Sequence, residues 1–234
     1  MEHETKPLKI FLSHADRDKL LASKIKAGLG TYGLNVFLAH EDINPTSDWS
    51  AVLIDELEMC DIFIALLTPN YKEADYPDQE AGIAYYMTTK YNKVILSLST
   101  ERTPHGFLCK FQSLKIDEFL LDIGKGKPFH FCKAVLTALY ENKLCKERIK
   151  TSLIDTFCNS HSFEQSSRTI YMVYRLLHPK LLTSEEADRL VDAALINCQI
   201  YGAAGVIERL KTVVEKHYAE PSKKIKLNQL SNLM

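Results

Sequence analysis

The chain has 234 residues, 46% of them hydrophobic and 25% charged, which is ordinary for a globular protein with one large domain or two modest ones. A formal net charge of −1 supplies no global field to draw nucleic acid or an anionic membrane, and Lys223, Lys224 and Lys226 read as a solvated basic tail. No apolar run approaches the roughly 20 residues that span a bilayer. The polar stretch Met1–Pro7 cannot be a signal-peptide core, and six scattered cysteines without a C-x-x-C pair argue against a zinc site or disulfide framework; cytoplasmic location and no bound metal are the expectations.

In chain order, Leu8–Leu12, Asn35–Leu38, Ile62–Leu67 and Lys93–Leu98 read as strands, with Phe111–Ile116 a weaker fifth. The third is apolar throughout, as a strand buried on both faces requires. Between the strands, Leu21, Ile25 and Leu29, and then Trp49, Leu53 and Leu57, recur every four residues and so line helical faces. A further helix should start near Asp75, with Pro77 in its first turn and Ile83, Ala84 and Met87 on its apolar face. Such alternation predicts a doubly wound parallel sheet, with ligands at the C-terminal strand ends.

From about residue 145 the strand signal stops. Ile170, Val173, Tyr174 and Leu177 form one helical stripe, and Ala187, Leu190, Val191 and Ala194 another, opened by a capping box of Thr183 and Glu186. Val206, Leu210, Val213 and Val214 form a third; Pro179, Gly202, Gly205 and Pro221 punctuate the segment. The expectation is a small all-α module over residues 145–220, followed by a basic tail, 221–234. Within it, Asn197–Gly205 combines small residues that permit close backbone approach with the aromatic Tyr201; a plain helix–helix turn is the simpler reading.

Four stretches stand in order along the first half. Lys9–His14 (KIFLSH) ends a strand in Ser-His before Asp16-Arg17-Asp18. Val36–Trp49 (VFLAHEDINPTSDW) carries a strand into a long loop, Cys60–Tyr71 (CDIFIALLTPNY) follows, and Tyr76–Tyr85 (YPDQEAGIAY) places Glu80 four residues after an aromatic. Together they resemble, over roughly residues 6–144, the boxes of a Toll/interleukin-1 receptor (TIR) domain of the bacterial NAD-cleaving type, which implies a flavodoxin-like, five-stranded form of the doubly wound sheet. In the second box Asn44-Pro45-Thr46-Ser47 stands where many members carry Pro-Gly-Ser.

The resemblance implies an NAD+ glycohydrolase or cyclase with Glu80 as catalytic carboxylate, NAD+ as substrate and no separate cofactor. It also implies self-association through TIR domains, a protein or nucleotide trigger, and a role in anti-phage immunity. The chemistry is consistent with one carboxylate: nicotinamide leaves NAD+ as a neutral base, so no proton donor is needed, and the developing charge lies on the ribose. Ser13, His14, Tyr76, Asp48 and Trp49 are the candidate substrate-lining residues. Four of them have a plainer alternative: His14 bonding only the adjacent turn, Tyr76 packing, Trp49 filling core and Asp48 capping a helix. Glu80 itself could merely complement a helix N-terminus.

Other classes fit less well. There is no G-x-S-x-G elbow, Walker A or G-x-G-x-x-G, and Thr68 stands where a phosphoacceptor receiver domain would need an acid. A non-enzymatic TIR adaptor and a nucleoside deoxyribosyltransferase-like enzyme stay open as alternatives.

Overall fold

The computed structural model describes residues 7–44, 46, 48–101, 103–177, 181–218, 225–226 and 228–230. Pro45, Ser47, Pro179, Pro221, Lys223 and Lys224, used above as loop, boundary or tail signals, lie outside the described residues. The chain divides into two units, one of Met1–Gly30 with Leu34–Lys146, the other of Thr31–Gly33 with Glu147–Met234.

The first unit is an all-parallel sheet in the order β2-β1-β3-β4-β5, the doubly wound fold expected from the alternation. Its strands are β1 (Lys9–Ser13), β2 (Asn35–Phe37), β3 (Ile62–Leu67), β4 (Val94–Ser99) and β5 (Ser113–Lys115). The weak fifth candidate contracts to three residues, pairing only Ser97–Ser99 of β4. Helices α1 (Lys19–Gly30), α2 (Ala39–Asp42), α3 (Trp49–Met59), α4 (Asp75–Tyr91), α5 (Leu120–Gly124) and α6 (Phe129–Glu141) accompany the strands. All six residues of β3 are buried, as befits the centre of the sheet. On one face Phe11 stacks on Phe63 with centroids 5.8 Å apart and meets Phe37 at 5.4 Å, tying β1 to both neighbours.

Local signals set the helices that bear on the site. Helix α4 begins at Asp75 with Pro77 inside its first turn, and stops at Asn92, whose left-handed backbone (φ 52°) suits asparagine better than most side chains. Helix α3 starts at Asp48, whose carboxylate accepts from the amides of Ser50 (3.1 Å) and Ala51 (3.2 Å).

The second unit contains α7 (Lys146–Cys158), α8 (Phe163–Leu176), α9 (Ser184–Ile196), α10 (Cys198–Tyr201) and α11 (Val206–Val214). Helix α7 carries a stripe of Ile149, Leu153, Ile154 and Phe157 that the reading of three helices passed over. The capping box of α9 is formed by Thr183 and Glu186. Tyr174, expected on the buried stripe of α8, is 42% exposed. The small polar residues Ser166 and Thr169 are buried with Ile170 and Val173, which turns the packed face away from Tyr174. The tract Asn197–Gly205 forms the short α10 and its turns; a Cβ on Gly202 would fall 2.9 Å from the Cys198 carbonyl oxygen and 3.0 Å from the Phe163 ring, so the absent side chain permits this approach. Lys226, assigned above to a solvated tail, pairs with Asp192 at 2.6 Å.

Replacing Asp48 by Ala should lower stability by about 1 kcal/mol, since two α3 amides lose their acceptor, whereas Asp48→Asn should retain most of it. Urea denaturation checks this; coincident midpoints for the native and Ala chains would show that the cap contributes nothing.

Candidate active site

Strand order reverses between β1 and β3, because the chain leaves β1 toward β2 on one side and returns to β3 on the other. A crevice opens at such a point outside the C-terminal strand ends. Ser13 is the last residue of β1, Tyr71 follows β3 by one short turn, and Glu80 comes from the second turn of α4. These three side chains meet. Ser13 Oγ lies 2.5 Å from Glu80 Oε2 and 3.1 Å from Tyr71 Oη, and Tyr71 donates to the Pro77 carbonyl at 3.1 Å.

Glu80 is only 6% exposed, yet it lines a cleft of about 240 Å³. Burial pushes its carboxyl up from an ordinary 4.5 to about 7, against the Ser13 hydrogen bond, which favours the charged form. Burial therefore wins over a bond to a charged group worth about 1.5–3 kcal/mol. A carboxylate that merely complemented the helix dipole would sit exposed in the first turn, where that effect acts. Glu80 instead turns inward from the second turn. Tyr71 is wholly buried, and burial together with the Glu80 charge keeps its phenol from ionising.

The remaining candidates divide. His14 lines the cleft; its Nδ1 faces the Leu12 carbonyl at 3.0 Å and its Nε2 faces His40 Nδ1 at 2.9 Å. A carbonyl only accepts, so His14 carries its proton on Nδ1, and its Nε2 accepts from the Nδ1–H of His40. Burial is the main reason His14 stays below the usual histidine range. Trp49 and Tyr76 also line the cleft, ring centroids 4.7 Å apart and edge to face. Tyr76 is 56% exposed, while half-buried Trp49 also packs on the core cluster. Asp48 caps α3 and is not among the cleft-lining residues.

Sequence reasoning passed over Tyr71 and His40 although both lay inside quoted boxes. The usable signal was position: each stands just past the C-terminal end of a strand adjacent to or identical with a neighbour of β1. Thr68, which replaces the receiver-domain acid, donates to Asp18, and Asn70 Nδ2 reaches the same carboxylate at 2.8 Å. A wider depression of about 420 Å³ is bounded by Lys72, Glu101, Thr103 and His105, none of them buried. Among the described residues no group of three or more His, Cys, Asp or Glu is placed to hold a metal, and no helix is long and apolar enough to cross a membrane.

The raised Glu80 value carries a stability cost with a definite sign. Between about 4.5 and 7 the folded chain binds more protons than the unfolded one, so stability falls as pH rises through this window. The deficit above it is on the order of 3 kcal/mol. Glu80→Gln, neutral at every pH, should be more stable than the native chain at pH 8 and close to it at pH 5. Urea midpoints at both pH values test this, and a gain that is the same at each would contradict it.

Comparison with known proteins adds one finding. No curated protein matches the chain. Residues 10–119 match the family model described as the TIR domain, a stretch that contains β2 to β5, all of β1 but Lys9, and every residue lining the cleft. The family assignment belongs to this stretch: residues 10–119 are a TIR domain.

Proposed function

We propose that the chain cleaves the nicotinamide–ribose bond of NAD+, with Glu80 as the catalytic carboxylate. The observation that carries this reading is a buried, ionisable carboxyl lining a cleft at the strand-order switch point, held there by Ser13 at the cost of stability. A domain that only docks other domains gains nothing from that arrangement. The cleft is smaller than the roughly 300–1,000 Å³ that encloses a drug-sized ligand, which suits one end of a dinucleotide.

In the reaction, the bond from ribose C1′ to the pyridinium nitrogen breaks and its electron pair leaves with nicotinamide, which becomes neutral. Positive charge develops on the ribose ring, and the Glu80 carboxylate, screened from water, stabilises it. The cation is then captured by water, giving ADP-ribose, or by a nitrogen of the adenine, giving a cyclic isomer. The proton released when water is the captor can pass to Glu80, whose value near neutrality suits it as a base, whereas capture by the adenine nitrogen moves the positive charge onto the adenine and releases none. Trp49 and Tyr76 offer ring faces and edges to the departing base or to the adenine.

Association through the TIR unit and control of that association by the helical unit belong to the same proposal, as does a role in anti-phage defence set off by a protein or nucleotide trigger. The helical unit has several amphipathic helices, and among its described residues no group of three or more His, Cys, Asp or Glu is placed to hold a metal.

Incubation of the full chain with NAD+ over a series of protein concentrations, with products identified by mass spectrometry, tests the reading. Glu80→Gln is expected to abolish turnover in a folded protein; full activity in that variant sinks the assignment. Since Glu80 must be ionised to act, kcat/KM should rise with pH through about 7. The acid limb of kcat should lie lower, because a bound cationic pyridinium favours the carboxylate.

The aromatic pair yields a separate expectation. Tyr76→Ala should change the ratio of cyclic to open product more than it changes folding, because the ring is exposed at the cleft and leaves little core behind. Chromatography of the products decides it; an unchanged ratio at similar turnover would make Tyr76 a packing residue.

A further inference from the structure

Behind the cleft, four groups stand in single file: the Glu80 carboxyl, the Ser13 hydroxyl, the Tyr71 hydroxyl and the Pro77 carbonyl, separated by 2.5, 3.1 and 3.1 Å. All four residues are buried. Their three links require three hydrogens. Ser13 and Tyr71 bring one each, a carboxylate brings none, and the Pro77 carbonyl can only accept.

With Glu80 ionised, one link must therefore lack a hydrogen: Ser13 donates to the carboxylate, and Tyr71 can serve Ser13 or Pro77 but not both. With Glu80 protonated the count closes. Glu80 then donates to Ser13, Ser13 to Tyr71, and Tyr71 to Pro77. The geometry is thus fully satisfied only by the neutral acid, and a buried polar link left unmade is costly.

We propose that Tyr71 is a positioning residue which, through Ser13, holds Glu80 as the neutral acid in the empty cleft and yields the carboxylate when a cationic ligand arrives. The file ends on a carbonyl that cannot pass a proton onward, so on ligand entry the proton leaves through the cleft to solvent. The Ser13 hydrogen then swings from Tyr71 to Glu80. The catalytic consequence rests on the proposed NAD+ reaction; the titration behaviour does not.

Other ionisable groups surround the file without supplying its links. His14 and Asp16 follow β1, His40 comes from α2, and Tyr76 and Asp78 lie on α4. His14 and His40 bond to each other, Asp16 pairs with Lys19, and His105, whose ring centroid is 6.2 Å from that of Tyr71, pairs with Asp78 at 3.0 Å. The upward displacement of Glu80 by burial acts in the same direction as the hydrogen count.

The test is the titration of Glu80 by carbon NMR in the full chain labelled at glutamate side-chain carboxyls, the resonance being identified by its loss in Glu80→Gln. Tyr71→Phe keeps the ring and removes two links from the neutral state but only one from the ionised state. Its midpoint is expected to fall by about one pH unit, one hydrogen bond's worth. In a Ser13→Ala background, where the file is already cut, adding Tyr71→Phe should produce no such fall. An unchanged midpoint in the single variant overturns the proposal. So does an upward one, which would mean that Tyr71 supports the carboxylate. Should Tyr71→Phe not fold, the native chain labelled at tyrosine Cζ gives the answer. The Tyr71 signal must titrate with the Glu80 midpoint, and a flat signal overturns the proposal. A chain that shows these titrations without cleaving NAD+ refutes the reaction and keeps the file; one that cleaves NAD+ with a static midpoint does the reverse.

Discussion

The hydrogen bond from Ser13 to Glu80 joins the end of β1 to the second turn of α4 across the point where strand order reverses. It depends on elements far apart in the chain being placed to within a fraction of an ångström. Parallel pairing of Ile10–Ser13 with Ile62–Ala65 sets the height of Ser13, and the buried β3 sets that of Tyr71. The Phe11, Phe37 and Phe63 rings hold the three strands together from one face. Loosening any of these would let water reach the carboxyl and return it toward ordinary acidity. The site is thus a property of the sheet as much as of the three side chains.

Much of the sheet could be read from the chain before any coordinates, because β3 is apolar throughout and α4 has Pro77 at the one place a helix welcomes it. The five-strand count depended on Phe111–Ile116, the weakest segment, and only Ser113–Lys115 pairs. Glu80 was legible through its box. Ser13, expected to line the pocket, is instead buried behind the cleft and not among its lining residues, and its contact with Glu80 was not legible, since neither periodicity nor spacing conveys which rotamers converge. Tyr71 and His40 were harder, because their roles arise from where β2 and β3 end beside β1. That is a fact of strand order, not of local sequence. Asp48 shows the reverse: the residue type and its place before an apolar stripe already suggested a cap, and capping is what it does.

The helical unit was legible wherever its stripes were purely apolar. Ala187, Leu190, Val191 and Ala194 are all buried, and so are Val206, Leu210, Val213 and Val214. The reading slipped where polarity and burial part company. Ser166 and Thr169 are buried in α8, whereas Tyr174 is exposed, and Lys150 is buried in α7 beside Glu147 and Glu186. A buried lysine is tolerable because its charge is matched by those carboxylates, a pairing no single-residue hydropathy can anticipate.

The lengths of the strands bear on how copies of this chain can meet. The two edge strands, β2 and β5, have three residues each, while the strands between them have five or six. Such short margins offer too little free backbone to template another sheet, the usual hazard of an open β-edge. Any filament or ring of these units must therefore be knitted by side chains on helices and loops. Its strength and reversibility are then open to adjustment one surface residue at a time, and it is spared the amyloid-like permanence of strand-to-strand growth.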